Sequence, residues 1–269
     1  MKSSWLAFWM VVVSLLAMSG SGCSTIFGST AADRLVPVSE ENKLGDEMKV
    51  ELERELDLHD DEELVGYITM LGNSMVREAE VPEGIEFEFF LVDDDDMVNA
   101  FAIPGGGIYV FTGLLLAMDD EAELAGVMGH EVAHVTRRHI AQRLVAIYST
   151  EIISQMAFGE EPGLLRQLVT AVAQQGFMLS YSRSNERDAD YWGVRYVVDA
   201  GYDPGGLIDF FAKLGEAPQP PAFLSTHPNP AERVQNIQEQ IAEFDEVPTE
   251  RNRSRFESMQ QRIQAQSSP

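Results

Sequence analysis

The spacing of apolar residues changes along the chain, and each change marks an element. An unbroken apolar run from Trp5 to Ala17 comes first. Residues 24 to 37, rich in Ser, Thr, Gly and Ala, read as a tether. From Ser39 the period becomes four: Leu44, Met48, Leu52 and Leu56 recur with charge between them, the pattern of an amphipathic helix. Ser39 is its expected cap, with Asn42 at the third helical position. LVGYITMLGNSMVREA predicts a second helix. In IEFEFFLV the period drops to two, which predicts a strand, and the acids at 93 to 96 close it as a solvated turn. Pro104 and the glycines after it break the next stretch, beyond which IYVFT predicts another strand. EAELAGVMGHEVAHVTRRHIAQRLVAIYSTEIISQM returns to helical spacing, continuous or broken, and GEEPG ends it. LLRQLVTAVAQQGFML, SNERDADYWGVRYVVDAG, DPGGLIDFFAKL and AERVQNIQEQIAEF predict four more helices, the second closed by Gly201. PQPPAFLSTHPNP is too proline-rich for regular structure and is expected to be loop. The polar segment from Pro248 reads as a loosely held helix or disorder. The fold class is α+β, mostly helical, with a small sheet.

Charge and composition narrow the partners. With 44 acidic and 19 basic residues the net charge is −25, which excludes nucleic acid, whose phosphates need Lys and Arg. It also disfavours docking on an anionic bilayer. Lys2 precedes the first apolar run, which is too short for the roughly 20 residues that span a bilayer, and small residues follow it. Residues 1 to 22 therefore read as a secretory signal peptide. Cys23 is the only cysteine, so no internal disulfide exists. Its position resembles that of the lipidated cysteine of bacterial lipoproteins, although Gly20 departs from the aliphatic residue expected there. The expectation is export to the periplasm, with a lipid anchor at Cys23 holding the chain to a membrane. Ser24 after the cysteine suggests the outer membrane.

The chemistry concentrates in HEVAH, residues 130 to 134, which holds two of the five histidines. On a helix, His130 and His134 lie one turn apart on one face and can hold one ion. Glu131 stands about 100° round from His130, where it reaches a water on that ion without being a ligand. The surrounding Ala125, Val127, Met128, Val132 and Ala133 make the helix apolar nearly all round, hence buried. A catalytic zinc takes a third protein ligand. Arg137 and Ile140 stand where the metzincin pattern needs Gly and His. Glu186 in NERDAD is the remaining candidate, with Asp190 one turn on to orient a ligand histidine. His139, five residues after His134, is expected at the surface.

VSEENKLGDEM, NAFAIPGGGIYVFTGLL, ELAGVMGHEVAHVTRRH, YSRSNERDADYWG and STHPNPAERV occur in this order. Together they resemble the gluzincin zinc metalloprotease family of HtpX, BepA and the CAAX prenyl protease, in its soluble or lipid-anchored bacterial form. The resemblance implies a zincin-type protease domain over residues 38–247, after a signal peptide (1–22) and tether (23–37) and before a polar tail (248–269). No counterpart of BepA-type tetratricopeptide repeats is read in that tail. It implies one zinc per chain on His130, His134 and Glu186, with Glu131 as base and Asp190 behind the ligands. Asn99, Ala100, Phe101, Ala102 and Ile103 would form the substrate-binding edge strand of the small sheet, bordering the cleft. His227 would be a resting-state latch on the open zinc position, and Arg233 would lie near the cleft. Asn99, Tyr181, Tyr191 and Arg233 stay open as the second electrophile. The expected function is endoproteolysis of unfolded or misassembled envelope proteins. The alternative is a latched, largely non-catalytic, chaperone-like lipoprotein that assists outer-membrane protein assembly.

Overall fold

The computed structural model describes residues 36–175, 181–216, 221–228 and 230–266. The apolar leader, Cys23 and nearly all of the tether lie outside the described residues. Helix α1 (Val38–Glu55) begins directly after Pro37, not at Ser39. Proline fixes φ, here at −57°, in the extended form that precedes a helix, and its carbonyl accepts from the N–H groups of Glu40 and Glu41. The start is thus set by the backbone, and no side chain caps it. Leu44, Met48 and Leu52 are buried as their spacing predicts. Helix α2 (Glu62–Arg77) does have a side-chain cap: the Asp61 carboxylate accepts from the N–H groups of Glu63 and Leu64.

Strands β1 (Glu88–Val92), β2 (Ala100–Ala102) and β3 (Gly107–Phe111) form a sheet of order β1-β3-β2. β1 runs parallel and β2 antiparallel to the central β3, which is buried along its whole length. The turn at Pro104–Gly106 needs Gly105 at φ 81°, a conformation that glycine alone adopts freely. β2 is an edge strand and packs on the helix that carries HEVAH.

After the short α3 (Thr112–Leu116), helix α4 (Glu121–Thr136) runs through the centre of the molecule with every residue buried. Its cap is Asp120, which accepts from Glu123 N–H. The long helical stretch of the sequence is broken into α4, α5 (His139–Ile147) and α6 (Thr150–Ala157). The first break is at Arg138, which is left-handed (φ 53°, ψ 35°). Helix α7 (Pro162–Gln175) packs on α1. Helices α8 (Arg183–Asp199) and α9 (Gly205–Glu216) flank α4, and their closeness depends on glycine. A Cβ on Gly193 would stand 3.0 Å from the backbone nitrogen of His130, and one on Gly206 would stand 2.3 Å from the carbonyl of Ala122.

Two further expectations change. The proline-rich stretch holds a short helix, α10 (Ala222–Thr226), which starts after Pro221 for the reason given for Pro37. Helix α11 (Pro230–Ile241) follows. The polar tail is helical, one of the two forms expected, but over its described residues it is packed rather than loosely held. It forms α12 (Arg253–Gln266), with Phe256, Met259 and Ile263 buried on one face. Its polar residues have partners: Gln260 donates to the carbonyls of Leu115 and Met118, and Arg262 binds both oxygens of Asp61. Composition understates such a helix, because three apolar residues suffice when the polar ones are also satisfied. Among the described residues no helix is long and apolar enough to cross a membrane.

Candidate active site

His130 and His134 share one face of α4, and their Nε2 atoms are 2.9 Å apart. Helix α8 lies against that face, pressed close at Gly193, and brings in Glu186. Its Oε2 is 3.6 Å from His130 Nε2 and its Oε1 is 3.5 Å from His134 Nε2. His227, just after α10, places Nδ1 3.1 Å from both His130 Nε2 and Glu186 Oε1. All four side chains are buried, and their donor atoms lie within 4.8 Å of one another. Tetrahedral zinc with bonds of about 2.0–2.1 Å sets its ligand atoms about 3.3 Å apart. The observed separations of 2.9 to 3.6 Å bracket that edge. The imidazoles are also oriented for an ion. His130 Nδ1 faces Asp190 Oδ1 at 3.0 Å and His134 Nδ1 faces His139 Nδ1 at 3.1 Å. With those nitrogens protonated, two Nε2 lone pairs converge, which is repulsive without a cation between them. The donor set therefore fits a divalent metal.

Charged groups behind these four fix their states. Arg233 on α11 places Nη1 2.6 Å from Glu186 Oε2 and Nη2 2.5 Å from Asp190 Oδ1, with its guanidinium over the Phe211 ring. Burial alone would raise both carboxyls. Arg233 and the histidines override it, holding Asp190 below and Glu186 well below the usual carboxylate range. Burial and then the Arg233 charge lower His130 to about 4. Burial and His130 lower His134 as well. Both rings are thus neutral, the form that binds metal. Glu131 is fully buried, and that burial pushes its carboxyl up to about 7 against the pull of His227 and Arg233. Its Oε1 is 3.3 Å from His227 Nε2.

The expected edge strand runs alongside. Asn99, Ala100, Phe101, Ala102 and Ile103 are all buried, and Phe101 stacks on Tyr109 of β3. Asn99 O accepts from Phe111 N–H and Ile103 N–H donates to Gly107 O. By that alternation the polar backbone groups of Ala100 and Ala102 point away from β3. The Ala102 N–H approaches Glu131. The α10 segment covers part of this edge: Phe223 N–H donates to Val98 O, and the Phe223 ring stacks on His227 and packs on Phe210 and Phe211. One short segment thus reaches both the residue that precedes the edge strand and the fourth corner of the donor set.

Of the four electrophile candidates, Tyr181 stacks on His134 with centroids 3.8 Å apart. Arg233 is engaged with the two carboxylates. Asn99 is buried at the start of the edge strand. Tyr191 is exposed and packs on Trp192 and Arg195 instead. His139 corrects the sequence reading. It is buried, with Nδ1 on His134 and Nε2 3.1 Å from Asp188 Oδ2. The surface expectation extended the α4 register to residue 139, and the break at Arg138 ends that register.

Peptidase family M48 matches residues 63–241. The putative beta-barrel assembly-enhancing protease of Vibrio cholerae is 31% identical over 229 residues, covering 80% of this chain and 47% of that protein. The beta-barrel assembly-enhancing protease of Escherichia coli K12 is 31% identical over 219 residues, covering 76% and 44%. The mitochondrial metalloendopeptidase OMA1 of Arabidopsis thaliana is 36% identical over 153 residues, covering 56% and 31%. The chain thus spans about half the length of its bacterial relatives or less.

Proposed function

The chain belongs to peptidase family M48, and from that premise we propose that it is a zinc-dependent endopeptidase acting on unfolded or misassembled proteins of the bacterial envelope. One observation carries this reading: the buried side chains of His130, His134 and Glu186 converge on one point, with the buried Glu131 beside it. His130, His134 and Glu186 would hold one zinc ion, and two imidazoles with a carboxylate suit zinc among common divalent ions. Zinc held there supplies Lewis acidity, making a water acidic near neutral pH and drawing charge from a carbonyl.

The protein's own residues do the rest. Glu131 takes the proton from the attacking water and returns it to the leaving amide nitrogen. Asp190 holds the His130 ring by Nδ1, and Arg233 ties Asp190 to Glu186, so α8 and α11 keep the ligands in place. An extended substrate would add a strand to β2 through the outward backbone groups of Ala100 and Ala102. Folded proteins offer no such free strand, whereas unassembled ones do. The names of the bacterial relatives, beta-barrel assembly-enhancing proteases, support substrates of that kind. The sequence signals at residues 1 to 23 support export and attachment to the outer membrane through Cys23.

The position of His227 supports a second element of the reading. The described arrangement is a closed resting form, in which His227 fills the corner that an attacking water needs and Phe223 holds α10 on the edge strand. A chain held permanently in that form would be the chaperone-like lipoprotein. Purified protein should contain one zinc per chain and cleave unfolded casein, losing activity to chelator and regaining it with zinc. His227→Ala should raise the rate about tenfold if the open form is a tenth of the population. No cleavage by either protein, with zinc bound, would favour the non-catalytic reading.

A further inference from the structure

We infer that His139 and Asp188 are positioning residues for His134, passing orientation from a surface carboxylate to the ion site through a second imidazole. The inference deepens the zinc reading and rests on it. On an unbroken helix, His139 would stand about 140° round from His134 and could not touch it. The chain reaches this contact because α4 stops and Arg138 turns left-handed, an unfavourable conformation for a residue with a Cβ. That turn is tied down: Arg138 Nε donates to Glu41 Oε2 at 2.9 Å, its Nη2 donates to Val36 O at 2.5 Å, and both side chains are buried. Helix α5 therefore starts with His139 folded back on His134, the rings 75° from coplanar.

The proton positions follow from which atoms can only accept. Asp188 Oδ2 accepts from Arg137 Nε at 2.9 Å and lies 3.1 Å from His139 Nε2. An ionised carboxylate has nothing to donate, so His139 Nε2 carries the proton. In the neutral ring His139 Nδ1 then accepts, and the group it faces at 3.1 Å, His134 Nδ1, donates. This leaves the His134 Nε2 lone pair for the ion. His130 reaches the same state through direct contact with Asp190.

The two supports differ for a physical reason. Glu131, Glu186 and Asp190 already crowd this interior with carboxylates. A fourth buried anion beside His134 would be costly, since an unpaired charge is poorly solvated there. The His139 ring spans the gap, so Asp188 keeps its charge at the surface, its side chain 37% exposed and paired with Arg137.

The test uses the purified full-length chain with Zn²⁺ and a competing chelator, and ¹⁵N NMR of the histidine tautomers. His139→Ala should weaken zinc binding about 10- to 100-fold, the range for residues that orient metal ligands. His139→Gln should recover most of that loss, because an amide oxygen and nitrogen can accept from His134 and donate to Asp188 as the ring does. His134 of the zinc-free wild type should be protonated at Nδ1, and this preference should fade in His139→Ala and persist in His139→Gln. Equal zinc affinity in wild type and His139→Ala, with His134→Ala still weakened, would overturn this inference and leave the zinc reading standing. Wild type that binds no zinc would overturn both. Equal losses in Ala and Gln variants would assign His139 a packing role alone and also overturn the inference.

Discussion

Glu131 lies one residue from a proposed ligand yet outside the donor set, because a step of one residue turns the side chain about 100° round the helix. It faces His227 instead. Replacing it by Gln removes the proton acceptor at nearly constant volume. Glu131→Gln should keep one zinc per chain and lower the cleavage rate by about 10² to 10⁴. A variant that still cleaves casein at the wild-type rate would remove the base assignment. This part of the site was legible in the sequence, since His130 with His134 and Glu186 with Asp190 each repeat at four, one helical turn. His227 and Arg233 have no such spacing and were reached by resemblance alone. His139 was hidden because its position depends on one left-handed residue, whose anchor Glu41 lies nearly a hundred residues earlier in the sequence.

At the scale of elements, helix type and order followed from periodicity, whereas starts and packing distances did not. The cap expected at Ser39 was displaced by Pro37, and a helix began inside a proline-rich stretch, in both cases because proline favours what precedes a helix as well as what breaks one. The crossing of α4 and α8 was written in glycines whose partners lie far apart in sequence. Gly193→Ala sets a methyl against the backbone of His130, which cannot yield as a flexible side chain would. We expect about 1–3 kcal/mol of destabilisation in urea unfolding, from overpacking, together with weaker zinc binding as Glu186 moves off the imidazoles. Unchanged stability and unchanged zinc affinity would mean that the crossing is looser than this contact implies.

Across the whole molecule, the last described helix returns to the starts of two earlier ones. Asp61 caps α2 and also receives Arg262 and Gln266 from α12, while Arg251 and Arg253 bind Asp120 at the start of α4. Burial would raise the Asp61 carboxyl, but the Leu64 N–H, Arg262 and Gln266 outweigh it and lower it from 3.8 to about 2. A pKa depressed by folding contributes stability that is full above the unfolded value and is lost as pH falls through the folded one. Asp61→Asn keeps a capping side chain and removes the charge. The stability gap between wild type and Asp61→Asn should be constant above about pH 4 and shrink toward pH 2. A gap of the same size throughout would show that the charge contributes nothing.

His227 belongs to the same polypeptide as the imidazoles it faces, held there through Phe223. A latch of the kind proposed for His227, tethered in this way, would have a fixed local concentration, set by the few residues between its anchor and its target, and dilution would not lower it. Specific activity should therefore be the same at nanomolar and micromolar protein, and dialysis should release nothing. Relief would come from a competitor for the strand edge, so that the polypeptide to be cut displaces the latch itself: the rate still saturates simply with substrate, at a higher half-saturating concentration than in His227→Ala.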